Sequence, residues 1–293
     1  MSGRFQDRLW RRIVDWLNSC PEEDLPVFCN FDRLRREIRP ADVILFEGRS
    51  HVSEVIKIVT LSPWTHAAIY IGRLVDIQDS AARRVLEQFH DGDAYEPLIV
   101  ESLLGKGTIV TPLSHYQKDH LRICRPSGLL LDDTQKVVNF AIEQLGTEYD
   151  VRQLLDLARL SFPYAILPRK WRSSLFQHNA GKPTHIVCSS MIARCFQQVS
   201  YPILPVIRSS DGLSVEFHKR NFRLFVPSDF DYSPYFKVVK YSFWGFGDEA
   251  GYRKIKWIEE KETKKRRKKG NTVVALNGRS LQQLVARRIK WSG

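Results

Sequence analysis

A thiol, an imidazole and a carboxylate together perform acyl transfer. In this 293-residue chain each sits at a point where secondary structure would hold it still. Cys188 follows Ile186 and Val187 in "IVCSSMIARCFQQV" (186–199), whose apolar residues recur with a helical period. A thiol opening a helix feels the positive end of the helix dipole and its free N–H groups. Both favour thiolate, the form that attacks carbonyls. The same position also suits an ordinary buried cysteine. Cys195 lies on nearly the same helical face and reads as core. At ~1.5 Å of rise per residue it is about 10 Å from Cys188, too far for a disulfide.

A thiolate nucleophile needs a base, and the base needs an orienting group. His66 opens the apolar run "THAAIYIG" (65–72), behind Trp64 and Thr65. Glu101 interrupts "LIVESL" (98–103), among Ile99, Val100, Leu103 and Leu104. Such a carboxylate either faces solvent by strand alternation or is buried with a partner. On neighbouring strands His66 and Glu101 can face one side and touch. The acid then holds the imidazole tautomer and supports imidazolium. No HExxH or Cys/His ligand spacing occurs, and no cofactor or metal is expected.

Rigid elements must position these groups. "DVILFEG" (42–48), "THAAIYIG" and "LIVESL" read as strands, with "GTIVTPLSHY" and "HLRICRP" continuing an antiparallel meander through short links. "DDTQKVVNFAIEQLG" (132–146) reads as a helix capped by Asp132 or Asp133 and stopped by Gly146. A second helix is expected over 151–160, an aromatic loop or lid over 162–177, and an irregular stretch followed by a strand over 226–239.

The flanks differ from this body. Residues 4–18 form an amphipathic pattern through Phe5, Leu9, Ile13, Trp16 and Leu17, suited to packing on the body or docking at a membrane interface. Of the net charge of +12, residues 252–293 carry +11. A nearly neutral body argues against gripping nucleic acid across the main surface. The tail suits an anionic membrane surface, where each Lys or Arg adds ~1 kcal/mol, or serves as a solvated linker. Its run Lys264 to Lys269 precedes a last amphipathic helix bearing Leu281, Leu284, Val285 and Ile289. Five cysteines without a CxxC point to reduced thiols. The N-terminus is not a secretory signal, and no window is apolar enough to span a bilayer. The expected location is cytoplasmic, with peripheral binding at the inner membrane surface as an option.

The ordered set "ADVILFEG", "WTHAAIYIG", "IVESLLGKGTIVTPL", "LGTEYD", "VCSSMIARCFQ" and "FVPSDFDYSP" resembles the circularly permuted NlpC/P60 cysteine hydrolases, in the YiiX/YebB-like branch. That branch is related to the lecithin–retinol acyltransferase group. The resemblance spans about residues 39 to 240, and its histidine precedes its cysteine, as His66 precedes Cys188 here. It implies an α+β, circularly permuted papain-like fold, with an antiparallel sheet packed against helices. Residues 1–38 would be an N-terminal helical extension, 39–251 the catalytic domain and 252–293 the basic tail. By resemblance Cys188 matches the nucleophile, His66 the base and Glu101 the orienting residue. Tyr149 matches a position near the site, for oxyanion or substrate contact. Trp64 becomes a candidate groove wall, and His185 merely flanks the nucleophile.

The expected function is a cysteine hydrolase or acyltransferase acting on an amide, ester or thioester through an acyl-enzyme. Its partner is an acyl-lipid or peptide substrate. The alternatives are a non-catalytic papain-like binding module, a membrane or polyanion adaptor, and a peptidoglycan endopeptidase. Missing wall-binding repeats count against the last.

Overall fold

The computed structural model describes residues 19, 29–103, 105–147, 187–208 and 216–241. All of them belong to one compact unit. The helices expected over 4–18 and 151–160, the aromatic segment 162–177, the tail 252–293, Tyr149 and His185 lie outside the described residues.

The centre is a six-stranded sheet in the order β4-β3-β2-β1-β5-β8. Its strands are β1 (Val43–Phe46), β2 (His66–Gly72), β3 (Leu98–Leu103), β4 (Gly107–Pro112), β5 (Leu121–Pro126) and β8 (Phe236–Val239). Every pairing is antiparallel. β1 to β4 form the expected meander, but β5 departs from it. It returns to pair with β1, Ile123 opposite Ile44, so β1 is flanked on both sides. A short ribbon of β6 (Val206–Arg208) and β7 (Glu216–His218) stands apart from this sheet.

The links are not uniformly short, a second departure from the sequence reading. Helix α2 (His51–Thr60) joins β1 to β2, and α3 (Ser80–Phe89) joins β2 to β3. Both carry side-chain caps. Ser50 accepts from the Ser53 N–H, and Asp79 accepts from the N–H groups of Ala81 and Ala82. An earlier helix, α1 (Phe31–Glu37), is capped by Asn30. Its Leu34 is buried against the sheet, so residues just before 39 pack with the body.

Helix α4 (Leu131–Glu143) lies where expected, but its cap position is Leu130 and no side chain caps it. Asp132 and Asp133 stand inside the first turn, where they complement the helix dipole. Gly146, at φ 76°, takes the left-handed conformation that ends the segment. Helix α5 (Val187–Gln198) follows, then α6 (Ser228–Tyr232) before β8.

Near-continuous apolar runs in β1 and β2 follow from coverage of both sheet faces. One face packs Val43, Leu45, Ile69 and Ile71 against Val137 and Ala141 of α4 and Ile192 and Phe196 of α5. The other packs Ile44, Phe46, Ala68, Tyr70, Ile99 and Ile123 against Leu34 and Leu113. At one end of the sheet, buried Asp42 accepts from Arg125 Nη2 at 2.7 Å and from the Arg39 N–H at 2.8 Å.

Candidate active site

The site stands at the opposite end of β2, at its first residue. His66 pairs across to Phe46 of β1. The Thr65 N–H donates to the Phe46 carbonyl at 3.0 Å. The Gly48 N–H donates to the Thr65 hydroxyl at 2.9 Å, closing the loop after β1 onto the start of β2. A Cβ at Gly48 would lie 2.2 Å from Ser53 Oγ and 2.6 Å from Thr65 Oγ1. Only glycine permits that approach.

Trp64 is held from three sides. Its indole Nε1 donates to Asp231 Oδ2 at 3.2 Å. Arg122 lies over its ring at 4.5 Å, and His120 stacks on it at 5.6 Å. Only 2% of Trp64 is exposed. The sequence reading offered Trp64 as a candidate groove wall; the structure gives it as a buried indole just before the His66 strand, its polar edge and ring engaged by neighbours.

Glu101 lies on β3 opposite Ala68 of β2, two residues along the strand from His66. It is fully buried, so its carboxylate must be partnered by protein. Oε2 stands 2.7 Å from His66 Nε2. The Tyr116 hydroxyl donates to Oε1 at 2.9 Å and to Oε2 at 2.7 Å. Burial alone would raise the Glu101 carboxyl. Bonds from His66 and Tyr116 outweigh it and hold the group below its ordinary value. The Thr111 hydroxyl pulls the same way, although it has no partner within hydrogen-bond length and so acts from beyond it.

Cys188 is the second residue of α5 and is buried. The Ser189 hydroxyl donates to the Phe225 carbonyl at 2.6 Å and ties down the helix start. The thiol lies close enough to His66 to raise its imidazole electrostatically. With Nε2 taken by Glu101, Nδ1 is left to face the sulfur. Burial works against charge on His66, but the charges of Cys188 and Glu101 prevail and raise the imidazole above its usual value. Cys195, by contrast, is a core thiol that burial pushes up to about 12.

The structure thus brings together Cys188, His66 and Glu101, from a helix and two neighbouring strands. Tyr116 was missed by the sequence reading. It ends a single 3₁₀ turn, Leu113–Tyr116, in a stretch read as a continuing strand. The available signal was Pro112, which ends β4 and turns the chain back over Glu101. Among the described residues no group of three or more His, Cys, Asp and Glu is arranged to hold a metal ion.

Residues 37–158 match a family described as permuted papain-like amidase enzyme, YaeF/YiiX, C92 family. The matched stretch contains His66, Glu101 and Tyr116, while Cys188 lies beyond it. No curated protein matches the chain. Among solved structures, the chain is similar to one titled crystal structure of metalloprotein yiiX from Escherichia coli O157:H7, at 15% identity and a TM-score of 0.41. That similarity covers 71% of this chain and 98% of the other. The antiparallel sheet with its packed helices is an α+β arrangement.

Proposed function

We propose that this chain is a cysteine-dependent acyl hydrolase or acyltransferase, with Cys188 as nucleophile, His66 as general acid–base and Glu101 as the residue that orients it; the match of residues 37–158 to the permuted papain-like amidases supports the reading. The observation that supports the reading is the imidazole of His66, bonded to a buried carboxylate at 2.7 Å and within electrostatic reach of the thiol at a helix start. An amide is the favoured substrate bond, supported by the family's description. Esters and thioesters present the same carbonyl.

In the proposed cycle Cys188 gives its S–H proton to His66 Nδ1, the sulfur attacks the carbonyl carbon, and the C=O pair moves onto oxygen. Backbone N–H groups in the first turn of α5 face that oxyanion, and one such donor is typically worth ~2.7–4 kcal/mol. His66 passes its Nδ1 proton to the leaving nitrogen as the C–N bond breaks. The resulting thioester is attacked by water or another nucleophile, whose proton His66 takes. Collapse returns the sulfur with its electron pair. Glu101 stays a carboxylate throughout and supports the imidazolium.

Iodoacetamide-alkyne labelling of the full chain, located by mass spectrometry, tests the pairing. Cys188 is expected to label fastest among the cysteines, with His66→Ala slowing it by about tenfold or more. Equal rates in the two proteins would sink the reading.

A further inference from the structure

A histidine serving as base must carry its neutral-state proton on the right nitrogen. Here the base must keep that proton on Nε2, so that Nδ1 offers its lone pair to Cys188. A deprotonated Glu101 enforces this, because it only accepts. A protonated Glu101 would reverse it, donating to Nε2 and driving the imidazole proton to Nδ1. Glu101 is fully buried, and burial favours its protonated form. Something other than solvent must hold it charged.

We propose that Tyr116 is a positioning residue that sets the tautomer of His66. By donating one hydroxyl proton across both oxygens of Glu101, it leaves that carboxylate able only to accept. The inference rests on His66 being the base. Three observations carry it. The Tyr116 hydroxyl spans the two oxygens at 2.9 and 2.7 Å, so it touches the one that His66 also touches. Its ring packs on Phe46 at 4.5 Å, and Phe46 packs on His66 at 5.3 Å, so phenol and imidazole share one apolar support. Its place on a rigid 3₁₀ turn just past β4 fixes the approach to β3.

A phenol suits this task because it keeps its proton. Burial and the Glu101 charge both push Tyr116 further up, as do the charges of Asp119 and Cys188. Among the described residues, these groups face the cluster. Glu101 meets His66, Tyr116 and Thr111. His66 meets Cys188 and Glu101. Beside Tyr116 lie the ring of His115, at 5.3 Å, and the Asp119 carboxyl. Asp119 is itself pushed up by burial, with Arg49 and His115 opposing.

Tyr116→Phe removes the proton donor and keeps the ring. Two readouts test it in the full chain. Alkylation of Cys188 by iodoacetamide, followed against pH, is expected to show its acid limb about one unit higher in Tyr116→Phe, an approximately tenfold loss of rate on that limb. Nitrogen-15 NMR of His66 in Cys188→Ala protein, above the imidazole's titration, is expected to give the Nε2–H tautomer. Adding Tyr116→Phe is expected to move population to Nδ1–H. In a Glu101→Gln background Tyr116→Phe is expected to add nothing further, since the proton it controls is gone. If Tyr116→Phe does not fold, the Tyr116→Phe/Glu101→Gln pair removes the stranded charge, and comparison with Glu101→Gln alone gives the same answer.

An unchanged tautomer and pH profile in Tyr116→Phe, or an equal effect in the Glu101→Gln background, would overturn the proposal. Slow labelling of Cys188 in wild type and His66→Ala alike would instead overturn the catalytic reading. The NMR arm would then still report on Tyr116.

Discussion

Trp64 and Asp231 stand 167 residues apart in the chain, and the indole of the first donates to the carboxylate of the second at 3.2 Å. Asp231 is at the same time gripped by Arg122 Nη1 at 2.8 and 2.7 Å. One residue of α6 thereby holds the approach to His66 and the start of β5 together. Asp231→Asn is expected to leave the Arg122 cation without its counter-charge in a partly buried place. We expect a loss of about 1–3 kcal/mol, read as a shift in the urea midpoint. Trp64→Phe loses one N–H and some packing. An equal midpoint in Asp231→Asn and wild type would show that the linkage contributes nothing.

Glu101→Gln keeps the size of the side chain but presents an amide to His66 Nε2. The imidazolium loses its counter-charge, and the tautomer is no longer enforced. Acyl transfer, or alkylation at pH 7 in its absence, is expected to fall by roughly 10²–10⁴-fold. A fall of less than about threefold would remove Glu101 from the machinery.

Much of this site was legible because its chemistry sits where secondary structure starts. Cys188 opens a helix, His66 opens a strand, and Glu101 breaks an apolar run in which a charge needs a reason. Tyr116 was not legible, because its partner lies 15 residues back across a turn whose direction only tertiary structure decides. The helix α2 was missed because "HVSEVIKIVT" is rich in β-branched residues and reads as easily as a strand. Its start is marked by the Ser50 cap. The return of β5 to β1 was missed for a similar reason. Local pattern says that a segment is a strand, not which strand it will choose.

The folded site also couples stability to pH, with a sign that follows from each shift. Glu101 is lowered from 4.5, so its contribution is complete above that value and is lost as pH falls through the folded value. His66 is raised from 6.5, so its contribution is complete below 6.5 and is lost as pH rises through about 10. Urea midpoints measured from pH 3 to 10 should therefore fall away on both sides, and Glu101→Gln should flatten the acid side. An acid limb equally steep in that variant would assign the loss to other carboxylates.

At the far end of the sheet, Asp42 is fully buried and Arg125 is its charged partner. Arg125→Met strands that carboxylate among apolar neighbours. We expect a destabilisation of about 3–5 kcal/mol by chemical unfolding, with Cys188 labelling in the folded fraction unchanged. The Asp42→Asn/Arg125→Met pair should recover part of it. A loss below about 1 kcal/mol in Arg125→Met would mean that Arg39 alone suffices.

We propose that the basic run Lys264–Lys269 brings the chain to anionic membrane surfaces. Among the described residues no helix is long and apolar enough to cross a membrane. Co-sedimentation with phosphatidylserine vesicles at low salt should fall sharply on removal of residues 252–293, and should weaken as salt rises. Equal sedimentation of both proteins would end that idea.

The order in which the chain supplies these groups has a consequence for its making. His66, Glu101 and Tyr116 all lie between the start of β2 and the 3₁₀ turn that follows β4, whereas Cys188 arrives on α5 only later. During synthesis the segment that carries the imidazole and its carboxylate emerges before Cys188, so on the proposed function the nucleophile is the last of the three to be supplied. The same geometry makes the protein divisible. On the proposed function, two fragments parted between β5 and α5 would each lack part of the triad, and only their reassociation would restore fast labelling of Cys188.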